Sequence, residues 1–208
     1  FDGCGGLRSS RINWYKPLQA ADNVYGVGDA MHIRTSSQGI NRTKINRCIF
    51  ENSRRSAVFV QVYTGLNAPE ISECVFTNNS STYGITANSG GAAITIFPDF
   101  GRCLPVIKNS IFANNRNFYL AEGTQPASTL STISILDKDG TGNGNPNSSL
   151  KTTIYNCTFF NNSKSINVSS PYDTVLVYNS IFDDSKGPNE YFPQFGPSFL
   201  NLRQISTS

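Results

Sequence analysis

Five times along the chain an aliphatic residue is followed three positions later by Cys or Ser, and two positions after that by Phe. The copies are Ile45-Cys48-Phe50, Ile71-Cys74-Phe76, Ile107-Ser110-Phe112, Ile154-Cys157-Phe159 and Val177-Ser180-Phe182. A strand sends alternate side chains to opposite faces, so a three-residue step cannot be one straight strand with both ends inside. The frame therefore predicts a strand, a corner and a second strand. In three copies the residue before Cys or Ser is Asn (Asn109, Asn156, Asn179), which tolerates the left-handed backbone of a tight corner.

A third strand follows a variable polar loop. Aligning Ala30–Arg34, Phe59–Tyr63, Ala93–Phe97, Thr132–Leu136 and Ser165–Ser169 gives two apolar columns: Met31, Val60, Ile94, Ile133, Ile166, and Ile33, Val62, Ile96, Ile135, Val168. Same-face neighbours meet rung on rung in stacked parallel strands, and each is worth about 1.5–3 kcal/mol if fully buried. From one Cys/Ser position to the next the separations are 26, 36, 47 and 23 residues, a unit in the low twenties with loops inserted. A unit this short cannot bury its own apolar face and must stack on its neighbours. The expected fold is all-β, a right-handed parallel β-helix of about five to six rungs, as one domain over residues 1–208. Residues 1–28 read as an N-terminal cap or partial rung holding Trp14 and Tyr15. Residues 29–182 read as the rungs, and 183–208 as a C-terminal cap or docking tail rich in aromatic residues.

Charge narrows the partners. The net charge is +3, 15% of residues are charged, and no basic cluster exceeds Arg54-Arg55, so nothing suggests nucleic acid. No run approaches the ~18 apolar residues a membrane helix needs, and the first residues lack the basic and apolar segments of a signal peptide. Either a signal has been removed or the chain is part of a longer one, and the expected location is extracellular or at the cell surface. Five cysteines leave at least one unpaired within a monomer. Cys48, Cys74 and Cys157 share a repeat position, as small buried groups or as a disulfide between neighbouring rungs. Cys4 and Cys103 lie off that column and are the better pair for a bridge.

The Phe-to-Asn steps (Phe76 to Asn79, Phe112 to Asn115, Phe159 to Asn162), with Gly90-Gly91-Ala92-Ala93-Ile94, resemble repeats of polymorphic outer membrane protein type, and more broadly pectate-lyase-like β-helix proteins. In Phe50 and Phe182 the step leads to Ser53 and Ser185 instead. The broader resemblance implies Asp with Arg or Lys on one strand face together with calcium, or paired carboxylates for hydrolysis. The outward columns here carry no carboxylate: Ala30, Phe59, Ala93, Thr132, Ser165; His32, Gln61, Thr95, Ser134, Asn167; and Arg34, Tyr63, Phe97, Leu136, Ser169. His32 is the only histidine and lacks a nucleophile motif, and Asp183-Asp184 point to opposite faces of a strand. No residue is assigned a catalytic role.

Three binding readings remain. Gln61, Tyr63, Thr95 and Phe97 are candidates for glycan contact, since rings beside amides and hydroxyls suit sugars. Asp137, Asp139, Thr141 and Asn143 alternate in a Gly-rich loop that resembles a calcium-binding loop, with Ser148 where a bidentate Glu is expected. Among the sequons, Asn41 and Asn147 are the N-glycosylation candidates. The functional expectation is a noncatalytic extracellular β-helix, a surface-structural or adhesin module without an obligatory cofactor, partnered by itself through its ends or by cell-surface glycans. The alternative is a polysaccharide lyase or glycoside hydrolase.

Overall fold

The computed structural model describes residues 30–35, 38–53, 56–83, 91–98, 100–119, 131–135, 149–162, 164–168 and 173–183. Among them there is no helix, and the strands build a parallel β-helix. The first sheet stacks Met31–Thr35, Val58–Val62, Ile94–Pro98, Ile133–Ile135 and Ile166–Val168. The second holds Ile40–Asn41, Leu66–Asn67 and Arg102–Cys103, then the long strand Ser149–Tyr155. That strand continues onto Val106–Lys108, Glu70–Ser72 and Lys44–Asn46, with Thr174–Tyr178 on its other side. The third stacks Ile49–Glu51, Val75–Thr77, Ile111–Ala113, Thr158–Phe160 and Ile181–Asp183. A short parallel ribbon pairs Ser80–Tyr83 with Arg116–Tyr119.

The corners explain the repeat frame. Asn109, Asn156 and Asn179 have φ of 50°, 53° and 44°, as the Asn column predicts, and Arg47 and Glu73 take the same conformation at 55° and 54°. These two pair across rungs, Arg47 Nε donating to Glu73 Oε2 at 2.7 Å. A second left-handed column at Asn52, Asn78, Asn114 and Asn161 (φ 56°, 54°, 56° and 50°) closes the other side of the third sheet. Each corner leaves backbone groups facing along the axis, and the residue after each left-handed position reaches for them.

At the first corner that residue is Cys or Ser. The Cys74 N–H donates to Ser110 Oγ at 3.1 Å and the Cys157 N–H to Ser180 Oγ at 3.2 Å. The Cys48 N–H likewise meets the Cys74 sulfur, and the Ser110 N–H meets the Cys157 sulfur. A small side chain with one heteroatom at Cγ is what this step requires, so the two residue types interchange. At the second corner the acceptor is a buried Asn. The Ser53 N–H donates to Asn79 Oδ1 (3.1 Å), the Asn79 N–H to Asn115 Oδ1 (3.2 Å) and the Asn115 N–H to Asn162 Oδ1 (3.0 Å). Each amide nitrogen is used as well: Asn79 Nδ2 donates to Phe50 O, Asn115 Nδ2 to Phe76 O and Asn162 Nδ2 to Phe112 O.

Between the two corners the Phe column fills the interior, except at Phe182 in the last described rung, which is partly open. Rings of Phe50, Phe76, Phe112, Phe159 and Phe182 stack with centroids 4.7–4.9 Å apart and planes within 5–7°. Ring atoms in contact lie about 3.5–4.0 Å apart, so parallel planes at this larger spacing must be slipped, the offset arrangement that aromatic quadrupoles favour. Ile45, Ile71, Ile107 and Ile154 form the adjoining buried column.

In the first sheet the inward set is as expected, but the register differs by two residues in the second rung. Val58, not Val60, sits between Met31 and Ile94, and Val60 sits between Ile33 and Ile96. Val58, Val60 and Val62 are all buried and share one parity, so a slip of two keeps apolar groups inside. Gly91 does not have a positive φ, and a Cβ there would lie 2.2 Å from Ile94 O and 2.7 Å from Thr132 O. It is needed for close approach of one rung to the next. Gly90 lies outside the described residues, as do 1–28 and 184–208 of the two expected caps.

The two Asn positions of one corner make contrasting predictions, read by chemical denaturation. Asn115→Ala strands the Asn79 N–H and removes the second hydrogen bond of the Phe76 carbonyl, and should cost about 2–4 kcal/mol. At Asn114, Gly keeps the left-handed backbone and should change stability by less than about 1 kcal/mol, whereas Val should cost about 1–3 kcal/mol. Equal losses for Asn115→Ala and Asn114→Gly would contradict the ladder. In the same assay Phe112→Ala, opening a gap between two stacked rings, should cost about 3–5 kcal/mol.

Candidate binding face

The outer side of the first sheet, where sugar contact was expected, is largely closed to solvent. Gln61, Thr95 and Phe97 are exposed by 1%, 0% and 4%, and only Tyr63 is partly open. The corrected register puts Gln61 between Arg34 and Phe97, and Thr95 between Phe59 and Ser134. Tyr63 follows the strand, with the Arg34 guanidinium 4.4 Å from its ring centroid. Phe59 and Phe97 form a small second apolar cluster, centroids 6.4 Å apart. Polar groups on this side bond one another: Ser56 Oγ meets Thr95 Oγ1 and donates to Gly91 O, and Ser131 Oγ lies 2.8 Å from Ser134 Oγ. The structure therefore brings Gln61, Thr95 and Phe97 onto one side but not onto an open surface.

His32 lies at one end of this sheet. Its Nε2 is 3.1 Å from Gln61 Oε1 and its ring meets Phe59 edge-on at 5.0 Å. Desolvation holds its pKa below the ordinary value, opposed by the Gln61 hydrogen bond and reinforced by Arg34. It bonds an amide, not a nucleophile. On the second sheet, Lys108 Nζ contacts Glu70 Oε1 at 3.1 Å, and that hydrogen bond raises the lysine pKa.

An open apolar column lies on the third sheet. Between the inward Cys/Ser and Phe of each repeat stands one residue that must point outward, and these form the column Ile49, Val75, Ile111, Thr158, Ile181. All five are β-branched, which suits a pleated surface. Ile49, Ile111 and Ile181 are 54%, 47% and 64% exposed. A second outward column runs Glu51, Thr77, Ala113, Phe160, Asp183, with Phe160 49% exposed. Amide ladders border the face: Asn156 Nδ2 donates to Asn109 Oδ1 (3.1 Å) on one side and Asn161 Nδ2 to Asn114 Oδ1 (2.6 Å) on the other. Asp183 lies beside Phe160 on this face, and Asp184 lies outside the described residues.

This face has the chemistry of a contact surface. Its centre is apolar, its rims are carboxamide, and its ionisable groups, Glu51 and Asp183, stand at opposite ends of one column. The frame already contained the outward position, since any residue between two inward ones on a strand must face out.

Asn41 lies partly buried, its Oδ1 accepting from the Thr43 N–H (2.9 Å) and the Thr43 hydroxyl (2.6 Å). Of the other sequons, Asn78 and Asn156 are exposed, while Asn79 and Asn167 are buried. Asn147 and the calcium-loop candidates Asp137, Asp139, Thr141 and Asn143 lie outside the described residues. Among the described residues no group of three or more His, Cys, Asp or Glu is placed to hold a metal ion. Comparison with protein-family models, with curated proteins and with solved structures finds no match to this chain.

Cys48, Cys74, Cys103 and Cys157 carry free thiols. Burial raises the Cys157 pKa to about 11 from 9.0, and it raises that of Cys103, beside Asp173, further still. The raised pKa leaves Cys157 with less thiolate, and thiolate is the reacting form. With an aromatic disulfide reagent at about pH 8, Cys103 and Cys157 should stay unmodified in the folded protein and react on unfolding. Rapid labelling of either without loss of structure would contradict this packing.

Proposed function

We propose that this chain is a noncatalytic, surface-structural module of an extracellular assembly, which works by holding a rigid apolar face in fixed register. The observation that carries the reading is the exposed Ile49, Ile111, Ile181 and Phe160 surface on the third sheet. Exposed apolar side chains scattered singly need no explanation, but a contiguous file on a rigid ladder marks an interaction site. Its rigidity comes from the hydrogen-bond ladders immediately behind both corners. Support for a structural over an enzymatic role comes from how the described charged groups are used. Arg47 pairs with Glu73 and Lys108 with Glu70, each along the ladder, instead of converging on one point in space. The Phe-to-Asn steps keep polymorphic outer membrane protein repeats as the family-level likeness that fits this reading. Fold alone is a weak guide to activity, so the surface carries the argument.

The test joins two assays on one preparation. Incubation with acidic and neutral polysaccharides, with and without calcium, should release no new reducing ends and no unsaturated products. Light scattering and electron microscopy should show self-association. Cleavage of any polymer in the panel would overturn the structural reading.

A further inference from the structure

The outward column of the third sheet reads Ile49, Val75, Ile111, Thr158, Ile181, and this order is close to the same in both directions. Reversed, Ile181 takes the place of Ile49, Thr158 that of Val75, and Ile111 its own. Val and Thr have nearly the same shape. A two-fold axis lying in a face-to-face interface, parallel to the strands and over Ile111, performs this reversal. It sets each column on the same column of a second copy, with rung order inverted. In the neighbouring column it places Ala113 on Ala113 and the large Phe160 over the small Thr77. Self-complementarity of this kind is the requirement for an isologous pair.

Two further observations point to a second copy. The Phe rings directly behind the face keep nearly one orientation, their planes differing by only 5–7° from rung to rung. A file of β-branched side chains in such fixed register can pack against another over its whole height, with the two sheets about 10 Å apart. Ile49, Ile111, Ile181 and Phe160 are 47–64% exposed, and with Val75 and Thr158 between them they make one contiguous patch, the feature that marks interaction sites. A standard interface takes roughly 800 Å² from each partner, so a pair would draw on the bordering Asn ladders as well as on the apolar column.

From these observations we infer that the third sheet is a homodimer interface, in which two copies pack face to face with antiparallel rung order about Ile111. The inference rests on the structural reading above and gives its assembly a defined contact, on the side of the solenoid and not at its ends. One feature opposes the pair. Glu51 meets Asp183 at both of its ends, where solvent and salt screen them, so association should tighten as salt rises.

The experiment is sedimentation velocity on the whole chain over roughly 1–200 µM, the range for a small, mainly apolar interface. A monomer–dimer equilibrium that strengthens with salt is expected. Ile111→Asp should weaken it by about tenfold or more with unchanged circular dichroism and melting temperature, since this side chain is exposed in the single copy. Separately, Ile111→Cys in a Cys48→Ser background should form a covalent dimer with oxidised glutathione, each new disulfide releasing two molecules of reduced glutathione. A chain that remains monomeric throughout would overturn the pair. Dimerisation unaffected by Ile111→Asp and without the Ile111→Cys cross-link would overturn it too, while leaving self-assembly through another surface intact. A monomer whose Ile111→Cys thiol is shielded by a polysaccharide would overturn it in favour of a glycan surface. Polymer cleavage in the earlier assay, by contrast, bears on the structural reading and not on this contact.

Discussion

The rung spacing of parallel strands, about 4.8 Å, constrains everything else in this molecule. At that distance each residue meets its counterpart one rung away, so a side chain is useful only if it interacts well with another like itself. Three kinds of group satisfy the condition here. Phe rings stack with a slip, aliphatic side chains fill the space between rungs, and carboxamides donate and accept along the axis. Charged residues satisfy it only in alternation, as at Arg47 and Glu73. The low content of charged residues and the abundance of Asn follow from this, because like charges at one position of successive rungs repel.

The corners show how the constraint is met where it is hardest. A left-handed residue turns the chain but leaves a following N–H directed along the axis, and an unpaired buried amide is costly. Both corners solve this with the next residue's side chain from the adjoining rung, through a hydroxyl or thiol at one corner and a carboxamide at the other. The third sheet is pinned on both sides by side-chain ladders as well as by its own backbone pairing. Its outward surface is thus held at both edges, and it carries the exposed Ile49, Ile111 and Ile181.

The inward positions of the coil were legible because their chemistry is narrow: Phe50, Phe76, Phe112 and Phe159 admit little else, and Asn109, Asn156 and Asn179 announce a left-handed backbone. Arg47 and Glu73 hid the same corner, since neither residue type favours it and only their pairing across rungs explains them. The two-residue slip at Val58 was not legible, because Val58, Val60 and Val62 fit either register equally. Least legible was which outward face would be open. Gln61, Thr95 and Phe97 alternate as a surface strand would, yet they are buried by tertiary packing that alternation does not encode. The β-branched file of the third sheet stood in plain view between the Cys/Ser and Phe columns, but nothing in its own spacing separates an outer surface from a covered one.

Side chains of one rung hold the backbone of the rung before it. Hydrogen exchange at single-residue resolution measures this most directly, through the backbone amides of Asn79 and Asn115, which donate to the carboxamides of Asn115 and Asn162. If the ladders hold the coil, these two amides exchange only through global unfolding, among the slowest in the chain and together. Exchange at rates typical of exposed turns, with the flanking strands still protected, would show that the carboxamides do not hold the rungs and that the stacking has another cause.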